Sequence, residues 1–239
     1  MRGEIKMYKP VKKLLRFDNY KMSKSTDYGY LSVILYLAPH TLSGKNICAW
    51  ASKGCIKGCL NLSGRGVFDS VKQSRLNKTK YFFADRIKFL KQLDHEIKLY
   101  DKRAKRMGLK LNVRLNGTSD LVWENYKLEN GLNLMDNNPT IKFHDYTKSL
   151  ERMKKQLPKN YRLTFSKSEN NHNAVQELIM TSKQNIAVVF NKLPKRYLGR
   201  KVIDGDLNDL RFKDPLNSIV GLIAKGKAKK DDSGFVVNI

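Results

Sequence analysis

Seven short apolar segments are spread along the chain, and from Gly108 onward they alternate with polar turns and helical stretches. This alternation limits the fold more than any other feature, because strands that alternate with helices pair in parallel through right-handed crossovers. The sequence therefore predicts an α/β fold built on a parallel sheet. The strand candidates are residues 30–37, 109–115, 140–144, 161–165, 186–190, 201–203 and 219–224.

The number of strand candidates limits which α/β architectures are possible. Seven strands in 239 residues fall short of a complete (β/α) barrel, which has eight strands and about 250 residues. We expect an incomplete barrel of about six or seven parallel strands, with a doubly wound open sheet as the alternative. Helices are predicted at residues 67–107, as one long helix or two in series, and at residues 120–134, 147–157 and 173–182, with a helical turn at residues 207–210.

The first 29 residues mix lysines with tyrosines and phenylalanines and show no firm periodicity. We interpret residues 1–29 as an irregular basic arm and residues 30–239 as a single α/β domain. Within that domain a long polar loop, the cysteine loop of residues 40–66, follows the first predicted strand.

The charge balance indicates the kind of partner. The chain carries 47 Lys and Arg residues against 22 Asp and Glu residues, a formal net charge of +25. Such an excess of cations favours a polyanionic partner, and we expect nucleic acid, either DNA or RNA. The candidate contact residues are Lys6, Lys9, Lys12, Lys13, Arg16, Lys53, Lys57 and Arg65.

The chain shows no membrane or export signal. No apolar stretch reaches the roughly 18 residues of a membrane helix, and the N-terminal region lacks the pattern of a signal peptide. We expect a cytoplasmic protein without a membrane partner. Nothing in the sequence indicates a protein partner.

All three cysteines, Cys48, Cys55 and Cys59, lie in the cysteine loop. Such clustering favours shared metal ligation over three separately packed thiols, the alternative being inert buried cysteines. Neighbouring cations, Lys53, Lys57 and Arg65, favour the thiolate form. Three thiolates with one open position suit a 4Fe–4S cluster, whereas a remote fourth ligand would give a zinc site.

A Cys3His zinc site needs one of the four histidines. His40 lies closest in sequence to the cysteines, and His144 would end a strand on the same side of the sheet. A lone histidine is more often a hydrogen-bonding residue than a ligand. The remaining two are His95 and His172.

Polar turns follow the predicted strands, at the edge where parallel α/β proteins bind ligands. The 116–120 turn is the most distinctive, although its Asp120 could equally cap a following helix. Several carboxylates also follow strands and would form a magnesium site if they converged. They are Asp120, Asp145, Glu169, Asp204 and Asp206.

Several motifs resemble those of the phage gene product 88 family. They are CIKGCL at residues 55–60, SGRG at 63–66, KT at 78–79, DR at 85–86, VRLNGTSD at 113–120 and DYTK at 145–148. The resemblance spans roughly residues 35–230 and implies a phage or prophage origin, hence the cytoplasm of a bacterial host. It implies no particular activity.

The chain also resembles, more loosely, the radical S-adenosylmethionine enzymes. That resemblance implies a partial barrel in which Cys48, Cys55 and Cys59 hold a 4Fe–4S cluster. It also implies a turn after the second strand that binds the amino group of S-adenosylmethionine, here Asn116, Gly117, Thr118, Ser119 and Asp120. The cysteine spacing departs from the family, because six and then three residues separate the cysteines where the usual spacing is shorter.

Three functions follow from these observations. The first is a radical S-adenosylmethionine-like enzyme with an iron–sulfur centre that acts on nucleic acid. The second is a nonenzymatic DNA- or RNA-binding protein, of a type used in replication, with a structural zinc. The third is a nuclease that holds its metal through the carboxylates. The sequence identifies no catalytic residue for any of them.

Overall fold

The computed structural model describes residues 8–17 and 23–239, which contain ten strands and five α-helices. The strands are β1 (Leu15–Arg16), β2 (Tyr30–Leu35), β3 (Lys110–Arg114), β4 (Lys142–Thr147), β5 (Tyr161–Ser166), β6 (Ile186–Phe190), β7 (Arg196–Tyr197), β8 (Arg200–Asp204), β9 (Ser218–Ile223) and β10 (Val236–Val237). The helices are α1 (Lys53–Lys57), α2 (Asp69–Ala84), α3 (Arg86–Arg106), α4 (Leu150–Lys154) and α5 (His172–Thr181).

All ten strands form one mostly parallel sheet in the order β1-β2-β3-β4-β5-β6-β9-β8-β7, with β10 paired to β6. The seven predicted strands are β2 to β6, β8 and β9, and they pair with one another in parallel. The short outer strands β1 and β7 pair antiparallel with β2 and β8. The predicted α/β class and parallel sheet are thus confirmed. Strand order follows chain order from β2 to β6 and reverses beyond β6, where β9 lies next to β6 and is followed by β8 and β7.

The two faces of the sheet differ in polarity because successive side chains alternate between them. One face packs into the main core, and α3 lies against it over β1, β2 and β3. Its buried apolar members include Val33, Val113, Phe143 and Phe165. The other face carries buried polar side chains, among them Ser32, Asn112, His144 and Thr164.

The helical region predicted at residues 67–107 forms two helices in series, α2 and α3. Asp85 separates them, and its carboxylate accepts a hydrogen bond from the Lys88 amide at 3.0 Å, which satisfies a free donor at the start of α3. Gly108, with φ of +68°, follows the end of α3. Among the described residues, no helix is long and apolar enough to span a bilayer.

A connection between β8 and β9, the crossing segment of residues 205–217, lies over the polar face of the sheet. Asn112 Nδ2 on β3 donates to the Asp209 carbonyl at 3.3 Å. The ring of Phe212 lies 5.1 Å from the ring of Tyr30 on β2, measured between centroids. The segment therefore reaches from one side of the sheet back to strands near its other edge.

The prediction of a helix at residues 120–134 is wrong, because no α-helix forms there. A short 3₁₀ turn, Trp123–Asn125, forms there, and Lys127 pairs with Asn133 in an isolated antiparallel bridge. The chain reverses at an Asn-Gly pair, where Gly131 has φ of +80°. An Asn-Gly pair favours a tight turn, and this local preference prevails over a weak helical pattern.

Two other helical segments form with bounds that differ from the predicted ones. The helix predicted at residues 147–157 shortens to α4, because β4 continues to Thr147 and Ser149 caps the helix by accepting from the Arg152 amide. The helical turn predicted at residues 207–210 forms instead as a 3₁₀ turn at Arg211–Lys213.

Part of the predicted basic arm packs on the domain. Leu14 and Leu15 are buried, and β1 pairs antiparallel with β2. Glu96 on α3 accepts hydrogen bonds from both leucine amides at 2.9 Å. The arm cations in this part are exposed, namely Lys9, Lys12, Lys13 and Arg16. Lys6 lies outside the described residues.

Candidate functional site

One cavity, of about 230 Å³, opens at the carboxyl ends of the parallel strands. Its walls come from the cysteine loop, the turns after β3 and β4, the ends of β5, β6 and β9, and the C-terminal segment of residues 225–237. Because ligands bind at this edge of parallel α/β folds, the cavity is the candidate functional site. The lining includes Cys48, Cys55, Cys59, Asn116, Gly117, Thr118, Ser119 and Asp120.

The middle of the cysteine loop is fastened to the sheet through Glu169, which follows β5. Ser52 Oγ donates to Glu169 Oε2 and the Gly54 amide donates to Oε1, both at 2.7 Å. Ser52 Oγ also accepts from the Cys55 amide at 3.2 Å and so caps α1. Glu169 therefore fixes the helix that carries Cys55.

The C-terminal segment covers the cysteine loop. β10 pairs with β6, and Phe235 and Val236 form a small apolar cluster with Cys55 as a partly buried neighbour. A Cβ atom on Gly54 would lie 2.7 Å from Phe235 Cβ and would also overlap Ser233 Oγ. Only glycine at this position lets the two segments approach so closely.

Burial raises the pKa of the Cys48 thiol to about 12 and also raises that of Cys59. Cys55 and Cys59 both add to the rise at Cys48, so the three thiols interact electrostatically. The charges of Arg75 and Lys148 lower the pKa of Cys59 in part. A metal that binds here must therefore displace thiol protons.

The three thiols line the same cavity, but they do not converge on one position where a metal ion could bind. Across residues 8–17 and 23–239, no three His, Cys, Asp or Glu side chains are grouped closely enough to hold a metal ion. The carboxylates considered for a magnesium site are likewise engaged in separate contacts. Asp120 Oδ1 lies 2.9 Å from Arg152 Nη1, and Asp206 Oδ1 lies 2.6 Å from Lys225 Nζ.

Asn116 organises the 116–120 turn from within. Its Oδ1 accepts from Ser119 Oγ at 2.7 Å, and from the Leu121 amide and Trp123 Nε1 at 3.0 Å. The backbone amide of Asn116 donates to Asp145 Oδ1 at 2.7 Å. Asn116 therefore uses its side chain to hold the turn that forms one wall of the cavity.

The next two residues of the turn, Gly117 and Thr118, pack against the end of β2. A Cβ atom on Gly117 would lie 2.7 Å from the Leu35 carbonyl oxygen, so a larger residue would push the turn off β2. Thr118 Oγ1 donates to the Leu37 carbonyl at 2.5 Å. The turn is thus anchored to the end of the neighbouring strand.

Asp120 does not cap a helix after β3. Its carboxylate accepts from the Lys148 amide at 2.9 Å and pairs with Arg152, and both of these residues follow β4. Burial raises the pKa of Asp120, and the Arg152 charge acts against that rise. Asp120 therefore joins the turns after β3 and β4.

Of the four histidines, His40 lines the cavity, and its amide donates to Cys48 Sγ at 3.3 Å. His144 lies on the polar face of the sheet, where its Nδ1 lies 2.9 Å from Asn112 Oδ1 and its Nε2 lies 3.6 Å from Asp209 Oδ2. His144 is therefore not next to the cysteines. His95 and His172 lie on α3 and α5, outside the cavity lining.

The predicted nucleic-acid contacts of the cysteine loop are exposed at its surface, namely Lys53, Lys57 and Arg65. Lys57 Nζ pairs with Asp232 Oδ1 at 2.8 Å. Two aromatic side chains of the same region are also exposed, Trp50 by 37% and Phe68 by 59%. Cations and apolar rings are therefore both exposed in this stretch of the chain.

The sequence predicted no role at the site for three residues of the cavity wall or for one residue behind it. The cavity residues are Arg114, Lys148 and Phe235, and Arg152 stands behind the wall. In a chain with 47 cations, a single arginine or lysine carries no signal of its own. The position of Lys148 directly after a strand was the available sign.

The Asp145 carboxyl is predicted to make stability depend on pH. Burial raises its pKa to about 7, although it accepts hydrogen bonds from the Asn116 amide and Tyr161 Oη. The native state then binds more protons than the unfolded state between about pH 4 and 7, so stability falls as pH rises, by at most about 1.4 kcal/mol per pH unit. Urea unfolding should show a shallower fall for Asp145→Asn, whereas the exposed Asp27→Asn control should keep the wild-type slope. Equal slopes for wild type and Asp145→Asn contradict the prediction.

The fold and the cavity define a mixed α/β protein with a cysteine-bordered pocket at the carboxyl edge of a mostly parallel sheet. The chain belongs to the phage gene product 88 family, whose model, described as Gene product 88, matches residues 12–239. This match confirms the first of the two resemblances. Searches of curated proteins and of solved structures found no match, and no comparison supports the resemblance to radical S-adenosylmethionine enzymes.

Proposed function

We propose that the cavity is the active site of an iron–sulfur enzyme that acts on nucleic acid. In this proposal Cys48, Cys55 and Cys59 hold a 4Fe–4S cluster, and the 116–120 turn borders the ligand of its open iron, S-adenosylmethionine. One observation carries the proposal: the loop that contains all three cysteines and the turn after the next parallel strand line the same cavity.

The donor set fits such a cluster in its chemistry. Three thiolates leave one iron open, and the bound cluster with S-adenosylmethionine supplies one-electron chemistry. Arg75 and Lys148 favour the thiolate of Cys59. Binding requires the three thiols to rotate toward a common centre and the cavity of about 230 Å³ to widen.

The protein's own residues would hold and shield the centre. Glu169 keeps α1, with Cys55, against the sheet. Phe235 and Val236 cover the same loop from the other side and are themselves buried. These contacts exclude water from one side of the site and leave its polar side to a ligand.

Anaerobic reconstitution with iron and sulfide tests this proposal. The wild type is expected to bind about four iron atoms per chain and to absorb as a 4Fe–4S protein does, because three thiolates suffice to hold the cluster. Each single Cys→Ser substitution should lose most of the iron and sulfide, whereas Ser43→Ala in the same loop should lose none. Calorimetry on the reconstituted protein should then show binding of S-adenosylmethionine. Full iron content in a Cys48→Ser variant removes Cys48 from the ligand set.

A structural zinc is the second candidate, and one contact favours it. His40 lines the cavity, and its backbone amide donates to Cys48 Sγ, which places the residue beside that cysteine. A Cys3His zinc site would then hold the cysteine loop without supplying chemistry. Zinc measured in the aerobically purified protein, and lost in His40→Gln, supports this candidate over the iron–sulfur cluster.

The proposed nucleic-acid partner has support from charge and from surface composition. The net charge of +25 supplies attraction to phosphates. Exposed Trp50 and Phe68 lie in the same region as Lys53 and Arg65, and bases of a single strand stack on such rings. A single strand whose bases are free is therefore the form we propose.

The affinity for single-stranded DNA or RNA is expected to fall linearly with the logarithm of salt concentration, because bound phosphates release counterions. The combined substitution of Lys9, Lys12 and Lys13 by Gln should reduce that slope by about 2, at roughly 0.7 per phosphate contact. Substitution of the exposed Lys192, Lys195 and Lys201 by Gln is the charge-matched control. Fluorescence anisotropy measures both, and an affinity that does not change with salt contradicts the proposal.

We also propose that the sheet curves into the predicted incomplete barrel. Two observations support this shape: the strands follow chain order from β2 to β6, and the crossing segment contacts β2 and β3 from the far side of the sheet. In this shape the polar face is the barrel interior and the crossing segment fills it.

A further inference from the structure

The positive and negative side chains of the cavity wall are not all joined in ion pairs. Asp206 is paired with Lys225 at 2.6 Å, and Asp120 is paired with Arg152 at 2.9 Å. Lys148 has no carboxylate within ion-pair distance in the described part of the chain. The cavity therefore presents one cation that makes no salt bridge with the described residues, although its charge also acts on Asp120 and Cys59.

Lys148 is positioned for a ligand. Its Nζ donates to Ser166 Oγ at 3.1 Å and lies 5.7 Å from the centre of the Phe235 ring. Both of these residues line the cavity, as Lys148 does. An ammonium group has three donors, so further donors remain after the bond to Ser166.

Arg114 supplies a second cation from the neighbouring strand. Its guanidinium stacks on Tyr146, 4.7 Å from the ring centre, and its Nη1 lies 3.2 Å from Asp209 Oδ2. Its Nε is buried and has no hydrogen-bond partner among the described residues. A buried donor without a partner is costly, and a ligand that accepts its hydrogen bond removes that cost.

The remaining wall is apolar. Val189, Leu222, Ile223 and Phe235 line it, next to the two cations. A cavity of about 230 Å³ is smaller than the roughly 300 to 1,000 Å³ typical of drug-sized sites. The site therefore suits a small molecule, or the end of a larger one, with an anionic group and an apolar or aromatic body.

We infer that Lys148, Ser166 and Arg114 form an anion-binding subsite that takes the carboxylate or phosphate of an apolar ligand. The inference rests on the proposed function only in taking this cavity as the active site, and it deepens that proposal by naming the ligand class. Carboxylate and phosphate share the chemistry that these donors recognise. The two can be separated by experiment.

Benzoate and phenyl phosphate are suitable probes, with phenol as the neutral control, and binding to the full chain is measured by calorimetry at constant salt. At least one anion is expected to bind tenfold or more tightly than phenol, and Lys148→Met should remove that preference. Lys142→Met is the matched control, because Lys142 is exposed at the opposite end of the same strand. Ser166→Ala should weaken the same anion less than Lys148→Met does.

The anion that binds more tightly identifies the ligand group. The inference is overturned if neither anion binds more tightly than phenol, or if Lys148→Met and Lys142→Met bind the anions equally. A variant with all three cysteines replaced by Ser separates the two proposals. In this variant, loss of iron with retained anion binding supports both proposals, whereas full iron content with retained anion binding refutes the cluster ligands alone. Full iron content in the wild type without anion preference refutes the subsite alone.

Discussion

The Arg152→Met variant is expected to lose about 3 to 5 kcal/mol of the free energy of unfolding, because it leaves two buried carboxylates without their cation. Arg152 Nε and Nη2 bind Glu124 at 2.9 and 2.8 Å, and Nη1 binds Asp120 at 2.9 Å. The side chains of the three residues are 3%, 11% and 12% exposed, in the order Arg152, Glu124, Asp120. Urea unfolding measures the loss.

This destabilisation should grow with pH. Without the arginine, the pKa of each carboxyl in the native state rises, so the native state holds protons that the unfolded state has released, and stability falls as pH increases. The loss is therefore larger at pH 8 than at pH 5. Arg106→Met, at the exposed end of α3, is the control and should change stability little. A triple variant that also carries Asp120→Asn and Glu124→Gln should recover most of the loss, and failure to recover it contradicts the assigned cause.

The second large effect is expected for Asn116→Ala, which should cost about 2 to 5 kcal/mol of stability. The substitution leaves the Leu121 amide and Trp123 Nε1 without their acceptor, and each buried donor without a partner costs about 1 to 3 kcal/mol. Trp123 is fully buried, so water does not replace the lost bond. Thermal unfolding, with the change in midpoint converted to free energy, measures the cost.

Ser119→Ala is the matched control, because it removes one partly buried hydrogen bond to the same oxygen and leaves the two buried donors satisfied. It should cost about 0.5 to 1.5 kcal/mol. Asn116→Ala with wild-type stability and weakened ligand binding would show that the side chain serves a ligand instead of the turn. The two outcomes distinguish a structural Asn116 from a binding one.

The fold could be predicted where the signal was local. Each of the seven parallel strands is a short apolar segment bounded by polar residues, and this pattern identified all seven. β1, β7 and β10 contain two residues each, too few to show a pattern. The crossing segment was not predictable either, because contacts such as Asp209 with Asn112 join residues almost a hundred positions apart.

The candidate site was likewise predictable only where its residues form local motifs. The cysteines and the 116–120 turn were found because each is a compact motif, and the cavity joins them. Arg152 and Glu169 were not assigned structural roles, since each acts on a loop far from it in sequence, at the 116–120 turn and at α1. A charged residue shows its role only when the fold brings its partner to it.

The cover of the cysteine loop has a consequence for how the protein is made. The loop leaves the ribosome long before the segment that closes over it. Because about 180 residues separate Cys55 from β10, synthesis at roughly 5 to 20 residues per second leaves the Cys55 thiol without this cover for roughly 10 to 35 s. During that interval Cys55 is open to an oxidant, an alkylating reagent or a metal carrier. Translation speed over the second half of the message therefore sets how long this thiol stays open to modification.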